Sequence, residues 1–213
     1  GEGCDVRIMS ATPIPRTLSL IFYGDLDITT IKDKPAARQE ISTSIIPESK
    51  YGDMLAYIAE QTRQGRQAYF VCPKIEGDDE GTVMSVTELY DDLSSKMRGV
   101  RLALLHGKMK EAEKNAVMSD FKAGRYDCLV STTVIEVGVD VPNATIMVIY
   151  NAERFGLSQL HQLRGRVGRG SQKSYCFLLM GSDTPQARER LSVIKNNSDG
   201  FRIAEADLEL RGG

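Results

Sequence analysis

The sequence predicts an α/β protein in which a mostly parallel sheet of about six strands lies between two layers of helices, with a helical tail after it. Three observations lead to this prediction. Six short apolar runs of strand length recur along the chain. Segments with helical periodicity separate most of these runs, the pattern of βαβ units. Neither an internal repeat nor a low-complexity tract interrupts the alternation, so we expect one three-layer domain over about residues 40–182.

The strands are predicted from β-branched and apolar runs, which cover residues 41–46, 67–72, 101–105, 127–132, 144–150 and 175–180. The helices are predicted from apolar residues spaced three and four apart, over residues 51–64, 86–97, 110–123 and 158–167. A last helix begins after the Thr184-Pro185 cap. The acidic, glycine-containing stretch 74–81 is interpreted as a loop.

The periodicity also predicts which side chains of the later helices face the sheet. For the helix over 110–123 they are Ala112, Ala116, Val117 and Phe121. For the helix over 158–167 they are Leu160, Leu163 and Val167, and for the last helix Ala187, Leu191 and Ile194. Residues 1–39 contain closely spaced prolines and a charged stretch, so we interpret them as a lead-in and linker.

Composition excludes several classes of protein. With 213 residues and 41% hydrophobic content, the chain can form a core without disulfides or metal. Its apolar runs are far shorter than the roughly 20 residues of a membrane span, and no signal peptide opens the chain. The net charge of −2 means that nucleic-acid binding would need a local basic patch.

The four cysteines are widely separated and form no C-x-x-C pair; they are Cys4, Cys72, Cys128 and Cys176. The last three lie in apolar runs, which is typical of small buried side chains. We therefore interpret them as buried thiols rather than disulfide partners or zinc ligands. This usage indicates a reducing compartment such as the cytoplasm.

Ligands of open parallel sheets bind beyond the carboxyl ends of the strands, so the segments that follow strands are the first candidates. His106-Gly107-Lys108-Met109-Lys110 follows the third strand. The glycine permits close approach of a partner, and the lysines with the following helix N-terminus suit a phosphate. The alternative is a plain strand-to-helix turn with two solvated lysines.

The segment after the fourth strand, residues 131–142, is rich in hydroxyl side chains and contains a glycine. In the functional interpretation, Thr132, Thr133 and backbone amides contact a sugar–phosphate backbone, while Asp140 meets a ribose or a charged partner. In the alternative, Asp140 only caps a turn before Pro142.

The strongest local signal is the arginine segment, residues 162–170. No acidic residue occurs between positions 154 and 182, which contain five cations: Arg154, Arg164, Arg166, Arg169 and Lys173. On a continuous helix, Gln162, Arg166 and Arg169 would point the same way. Arginine suits bidentate contact with phosphate. A solvated basic helix face is the alternative, but such faces usually carry acidic partners.

The sequence contains neither a G-x-x-x-x-G-K-[ST] loop nor a dinucleotide fingerprint in the right context. The chain therefore has arginines that suit phosphate but no phosphate cradle of its own. We infer that a nucleotide would lie between this domain and another one. The arginines would then act as fingers on the transferred γ-phosphate.

Four segments resemble the later helicase motifs of superfamily two: residues 9–18, 105–109, 132–144 and 159–170. More narrowly, the chain resembles the second RecA-like motor domain of the RecG family of bacterial ATP-dependent branched-DNA helicases. The run over 159–169 is also similar to that of transcription-repair coupling factors. Cys72-Pro73-Lys74-Ile75-Glu76 favours the RecG family.

The resemblance implies a role for each matching position. Arg166 and Arg169 are the implied catalytic fingers, and the implied ATP-binding residues are Gln162, Gly138 and Asp140. The positions that face DNA are His106, Gly107, Lys108, Thr132 and Thr133. The motif that couples hydrolysis to DNA movement, at the end of the first motor domain, matches Ser10, Ala11 and Thr12.

The resemblance also implies partners and organisation. ATP with Mg²⁺ would be bound jointly with a first motor domain, and the substrate would be branched or double-stranded DNA. A wedge domain of the same polypeptide is a further implied partner, and the location would be the bacterial cytoplasm at the nucleoid. Residues 1–39 would end the first motor domain, 40–182 would form the second, and 183–213 would be a truncated helical hairpin.

Two other functions stay open at this point. The chain could belong to a coupling factor that moves along duplex DNA, or it could be a non-catalytic nucleic-acid-binding module that keeps only the fold. The P-loop is absent from this sequence, so we expect the chain alone to lack ATPase activity.

Overall fold

The structure is a computed structural model that describes residues 41–132 and 140–197. Several predicted features lie outside the described residues. They are the lead-in over residues 1–39, the Ser10-Ala11-Thr12 motif, Thr133, Gly138, and the tail beyond residue 197.

Six strands form one sheet in the order β1-β6-β5-β2-β4-β3, and every neighbouring pair is parallel. The strands are β1 Ile41–Ile45, β2 Gln67–Val71, β3 Leu102–Leu105, β4 Cys128–Ser131, β5 Ala144–Ile149 and β6 Ser174–Leu178. The helices are α1 Tyr51–Arg63, α2 Asp79–Lys96, α3 Glu111–Lys122, α4 Leu157–Arg164 and α5 Pro185–Asn196. Short 3₁₀ turns cover Glu48–Lys50 and Ala152–Arg154. The predicted parallel six-stranded sheet is confirmed.

Two apolar clusters, one on each face of the sheet, make the three layers. Helices α1 and α2 cover one face, where Ile58 and Leu93 are fully buried against Phe70. Helices α3, α4 and α5 cover the other, where Phe121 and Leu160 are fully buried. Strands that are apolar on both sides are typical of parallel sheets covered by helices, which explains their continuous hydrophobic runs.

Helix α2 begins at Asp79, seven residues before the predicted start, so the loop interpretation of 74–81 was wrong for its last three residues. The Asp78 carboxylate accepts a hydrogen bond from the Gly81 N–H at 2.9 Å and caps the helix. Asp79 and Glu80 lie in the first turn, where the helix dipole favours negative charge. The acidic residues that suggested a loop therefore start the helix.

The predicted inward face of α3 was partly wrong. Met118 and Phe121 are buried, whereas Ala112 and Ala116 are exposed. Phe121 packs against Tyr69, with ring centroids 5.3 Å apart. The helix turns its larger side chains inward because they bury more apolar area than two alanine methyl groups.

Other core predictions are confirmed. Ala187, Leu191 and Ile194 of α5 are buried, and the Thr184 hydroxyl accepts a hydrogen bond from the Ala187 N–H at 3.1 Å. Cys72, Cys128 and Cys176 are free, buried thiols. Burial raises the pKa of Cys72 and of Cys176 to about 12, so both stay protonated at neutral pH. Among the described residues, no helix has the length and apolar character needed to cross a membrane.

Candidate functional site

The strand connections divide the predicted site residues between the two edges of the sheet. His106, Gly107 and Lys108 follow β3, and Thr132 follows the neighbouring strand β4, so these four lie at the carboxyl edge. Asp140 precedes β5, and the arginine segment precedes β6, so both lie at the amino edge. Strands of four to six residues separate the two edges by roughly 15 Å.

A tight turn forms the candidate DNA surface at the carboxyl edge. The Lys108 N–H donates to His106 Nδ1 at 3.2 Å, and the Met109 N–H donates to the His106 carbonyl oxygen at 3.3 Å. Gly107 and Lys108 are exposed. Partial burial lowers the pKa of His106, and the Glu113 carboxylate opposes that shift. At neutral pH the positive charge of this turn therefore comes from Lys108 rather than from His106.

The α3 N-terminus that follows this turn already has its own negative groups. The Lys110 N–H donates to Glu113 Oε1 at 3.0 Å, and Glu111 also lies in the first turn. These carboxylates offset the positive end of the helix dipole. Any attraction of a phosphate to this turn would therefore come from its exposed lysines. Thr132 is only 2% exposed, and its contact with DNA stays a prediction.

At the amino edge, helix α4 ends at Arg164, three residues before the predicted end. One more turn follows, because the Arg166 N–H donates to the Leu163 carbonyl at 3.0 Å. Gly168 then has a φ of +82°, a value that favours glycine, and the chain leaves the helix direction. The prediction that Gln162, Arg166 and Arg169 align on a continuous helix is therefore wrong.

Arg169 folds back against the end of α4. Its Nε donates to the Gly165 carbonyl oxygen at 2.9 Å and lies 3.9 Å from Asp140 Oδ1. Both side chains of this ion pair are about half exposed, at 47% and 53%. Because the pair is long and lies in water, its electrostatic attraction is screened. A Cβ on Gly170 would lie 2.7 Å from the Pro142 carbonyl oxygen, so glycine allows this close approach of the two loops.

Tyr69 of β2 lies in the field of the amino-edge charges. Burial raises its pKa to about 12, and the charges of Arg166, Asp140 and Arg169 also act on its hydroxyl. Of the predicted ATP-facing residues, Arg169 and Asp140 are brought together as the 3.9 Å pair. Gln162 is exposed on α4. The position of Tyr69 beside these charges was not predicted, because the apolar run that contains it indicates only a buried strand.

Arg164 differs from the other cations of the segment because it is buried, with 5% exposure. Its Nη1 donates to Thr43 Oγ1 at 3.3 Å and to the Ile194 carbonyl at 2.5 Å. Its Nη2 donates to the Asn197 carbonyl at 2.8 Å and lies 3.0 Å from His161 Nδ1. Grouping Arg164 with the phosphate-seeking cations was therefore wrong. Arg164 lies four residues after the buried Leu160 and therefore on the same face of the helix. This spacing is the signal in the sequence for its burial.

Within residues 41–132 and 140–197, no group of three or more His, Cys, Asp or Glu side chains is gathered so that it could hold a metal ion. The chemistry that these residues do offer is anion recognition by arginine at one edge and by lysine at the other.

The chain belongs to the family of helicase conserved C-terminal domains, whose pattern matches residues 49–171, more than half of its length. Its similarity to RecG is closer still. It is 50% identical over all 213 residues to the ATP-dependent DNA helicase RecG of Thermotoga maritima, and 48% identical to that of Bacillus subtilis. The chain spans 27% and 31% of the length of these two relatives. The predicted RecG resemblance is confirmed.

Solved structures agree with this assignment. A structure of RecG bound to a three-way DNA junction matches 96% of this chain and 27% of that chain, with a TM-score of 0.70 and 48% identity. Saccharomyces cerevisiae Dbp5 bound to RNA and ADP BeF3 matches 97% of this chain and 54% of its own, with a TM-score of 0.56 and 16% identity. The second likeness shows the shared fold alone, which is the RecA-like second domain.

Proposed function

We propose that this chain is the second motor domain of an ATP-dependent DNA helicase that acts on branched DNA, such as Holliday junctions and stalled forks, in recombination and repair. The observation that carries the proposal is the 46–50% identity to RecG helicases over all 213 residues. In the proposed division, residues 1–39 end the first motor domain, 40–182 form the second, and 183–213 form the hairpin region. Such a helicase works in the bacterial cytoplasm, at the nucleoid.

The amino edge is the proposed nucleotide side. Arg166 and Arg169 reach the terminal phosphate of an ATP held by the first motor domain, and they stabilise the negative charge that develops during transfer. Gln162, Gly138 and Asp140 complete the nucleotide-facing set. Mg²⁺ enters with ATP and neutralises phosphate charge. The half-exposed, 3.9 Å pair of Arg169 with Asp140 supports this role, because Arg169 can exchange that partner for phosphate at small cost.

The carboxyl edge is the proposed DNA side. His106, Gly107 and Lys108 form an exposed turn beside Thr132, and Thr133 follows directly in the sequence. The backbone of branched or double-stranded DNA is the proposed partner, as in the solved RecG complex with a three-way junction. Ser10, Ala11 and Thr12 are the proposed residues that couple hydrolysis to DNA movement. The first motor domain and the wedge domain of the same polypeptide are further proposed partners.

The test uses the full-length helicase with Arg166→Ala or Arg169→Ala. Each change should lower the rate of DNA-stimulated ATP hydrolysis by about 10³-fold or more, because a finger arginine acts on the transition state. Affinity for a three-way junction should stay nearly unchanged. Arg125→Ala is the matched control, since Arg125 is an exposed amino-edge arginine paired with Asp120 at 2.7 Å. Loss of junction affinity with a surviving rate would make these arginines DNA contacts and overturn the proposal.

A further inference from the structure

Arg164 is a buried cation, and the groups that hold it among the described residues are all neutral. In the part of the chain that the structure describes, it is the only charged residue that is buried. Its four hydrogen-bond partners are a hydroxyl, two backbone carbonyls and an imidazole nitrogen, and none is a carboxylate. Burying a cation without an anion is costly, and burial lowers the pKa of this guanidinium. A side chain that only filled the space would avoid this cost.

The partners of Arg164 come from three separate elements. Thr43 lies on β1, Ile194 and Asn197 lie at the C-terminal end of α5, and His161 lies one turn earlier on α4. The guanidinium is an obligate donor, so the His161 nitrogen accepts. The planar fork of arginine is what allows one side chain to reach all four acceptors. These hydrogen bonds fix the last turn of α4 to β1, the outermost strand of the sheet, and to the end of α5.

The residues that follow Arg164 are the proposed fingers. Gly165 comes next, and its φ of −68° continues the helical conformation. The Val167 N–H donates to the Arg164 carbonyl at 3.2 Å, and Arg169 Nε donates to the Gly165 carbonyl at 2.9 Å. Both finger arginines are therefore attached to a turn whose first residue is Arg164.

We propose that Arg164 is a positioning residue that fixes the last turn of α4 and so sets the direction of Arg166 and Arg169. This inference rests on the proposed ATPase function. Arg164 does not contact the nucleotide, because it is buried among β1, α4 and α5. A shift of about 1 Å in a catalytic group can lower a rate by about 100-fold, so the anchor matters for turnover more than for binding.

The experiment compares Arg164→Lys and Gln67→Met in the full-length helicase. Gln67 is a matched control because it is also buried and donates to two backbone carbonyls, that of Phe121 in the last turn of α3 at 2.6 Å and that of Tyr126 before β4 at 2.8 Å. Lysine keeps the charge of Arg164 but cannot span the four acceptors. Arg164→Lys should lower kcat by about tenfold or more. The KM for ATP and the affinity for a three-way junction should stay within about twofold of the parent.

The control separates positioning from simple destabilisation. Gln67→Met should lower the melting temperature at least as much as Arg164→Lys does, yet keep most of the parental kcat. Thr43→Val, which removes one acceptor and keeps the arginine, should give a smaller loss of kcat in a folded protein. A parental kcat in Arg164→Lys, or an equal loss of kcat in Gln67→Met, overturns the inference. A parental kcat in Arg166→Ala would instead overturn the proposed function.

Discussion

The two edges of the sheet differ in how they present positive charge. At the carboxyl edge, a tight backbone-bonded turn exposes Lys108, and the acidic residues Glu111 and Glu113 lie in the first turn of the helix that follows. At the amino edge, Arg166 and Arg169 lie on a connection that also meets Asp140. The first arrangement suits a point charge on a DNA backbone, and the second suits arginines that exchange an internal partner for a ligand. In the proposed function, the length of the strands thus separates two kinds of anion recognition on one sheet.

The largest expected effect tests whether the amino edge is sufficient for hydrolysis. The chain alone should hydrolyse ATP at least about 10³-fold more slowly than the full-length helicase, because finger arginines act only on a nucleotide that another domain holds. A steady-state ATPase assay with and without branched DNA measures this, with circular dichroism to show that the chain is folded. DNA-stimulated hydrolysis at an ordinary helicase rate would contradict the division of labour between the two domains.

A smaller effect is expected at the carboxyl edge. Lys108→Ala in the full-length helicase should weaken three-way-junction binding several-fold and reduce the slope of log K against log salt by about 1, the value for one lost phosphate contact. The ATPase rate at saturating DNA should stay near that of the parent. Lys122→Ala is the matched control, because Lys122 is an exposed lysine at the opposite edge. Equal salt slopes for the two variants would remove Lys108 from the DNA surface.

The smallest effect compares two aspartates within the amino edge. Asp140→Asn should change the free energy of unfolding by under about 0.5 kcal/mol, since its pair with Arg169 is long and exposed. Asp127→Asn should cost about 1–3 kcal/mol. Asp127 is 14% exposed and accepts hydrogen bonds from the Arg101 backbone at 2.9 Å and from its Nη2 at 2.8 Å. Urea unfolding of the chain measures both, and a larger loss for Asp140→Asn would show that Arg169 is locked in place.

The sequence predicted the strands well because burial on both sides of a parallel sheet produces continuous apolar runs with clear ends. It predicted α2 poorly, because Asp78, Asp79 and Glu80 suit both a loop and a helix N-terminus, and only the cap geometry decides. The α3 face was misassigned because alanines fit an inward or an outward position. Which face of α3 turns inward depends on how Phe121 packs against Tyr69, which lies 52 positions earlier in the chain. The periodicity of the helix alone carries no information about such a distant contact.

In the candidate site, the charge pattern was visible in the sequence but the geometry was not. The lack of acidic residues around the arginine segment drew attention to Arg166 and Arg169, whose roles stay predictions, and the structure places Arg169 3.9 Å from Asp140. The helical alignment was wrong because α4 ends at Arg164 and the backbone changes direction at Gly168, which has a positive φ. Arg164 looked like its neighbours in the sequence, and its burial depends on packing by α5, which follows about 20 residues later.

Thr43, near the start of the described domain, and Asn197, at its end, bind the same guanidinium. The polypeptide therefore enters and leaves the sheet at one corner. Proteins whose ends lie this close tolerate circular permutation and insertion into longer chains.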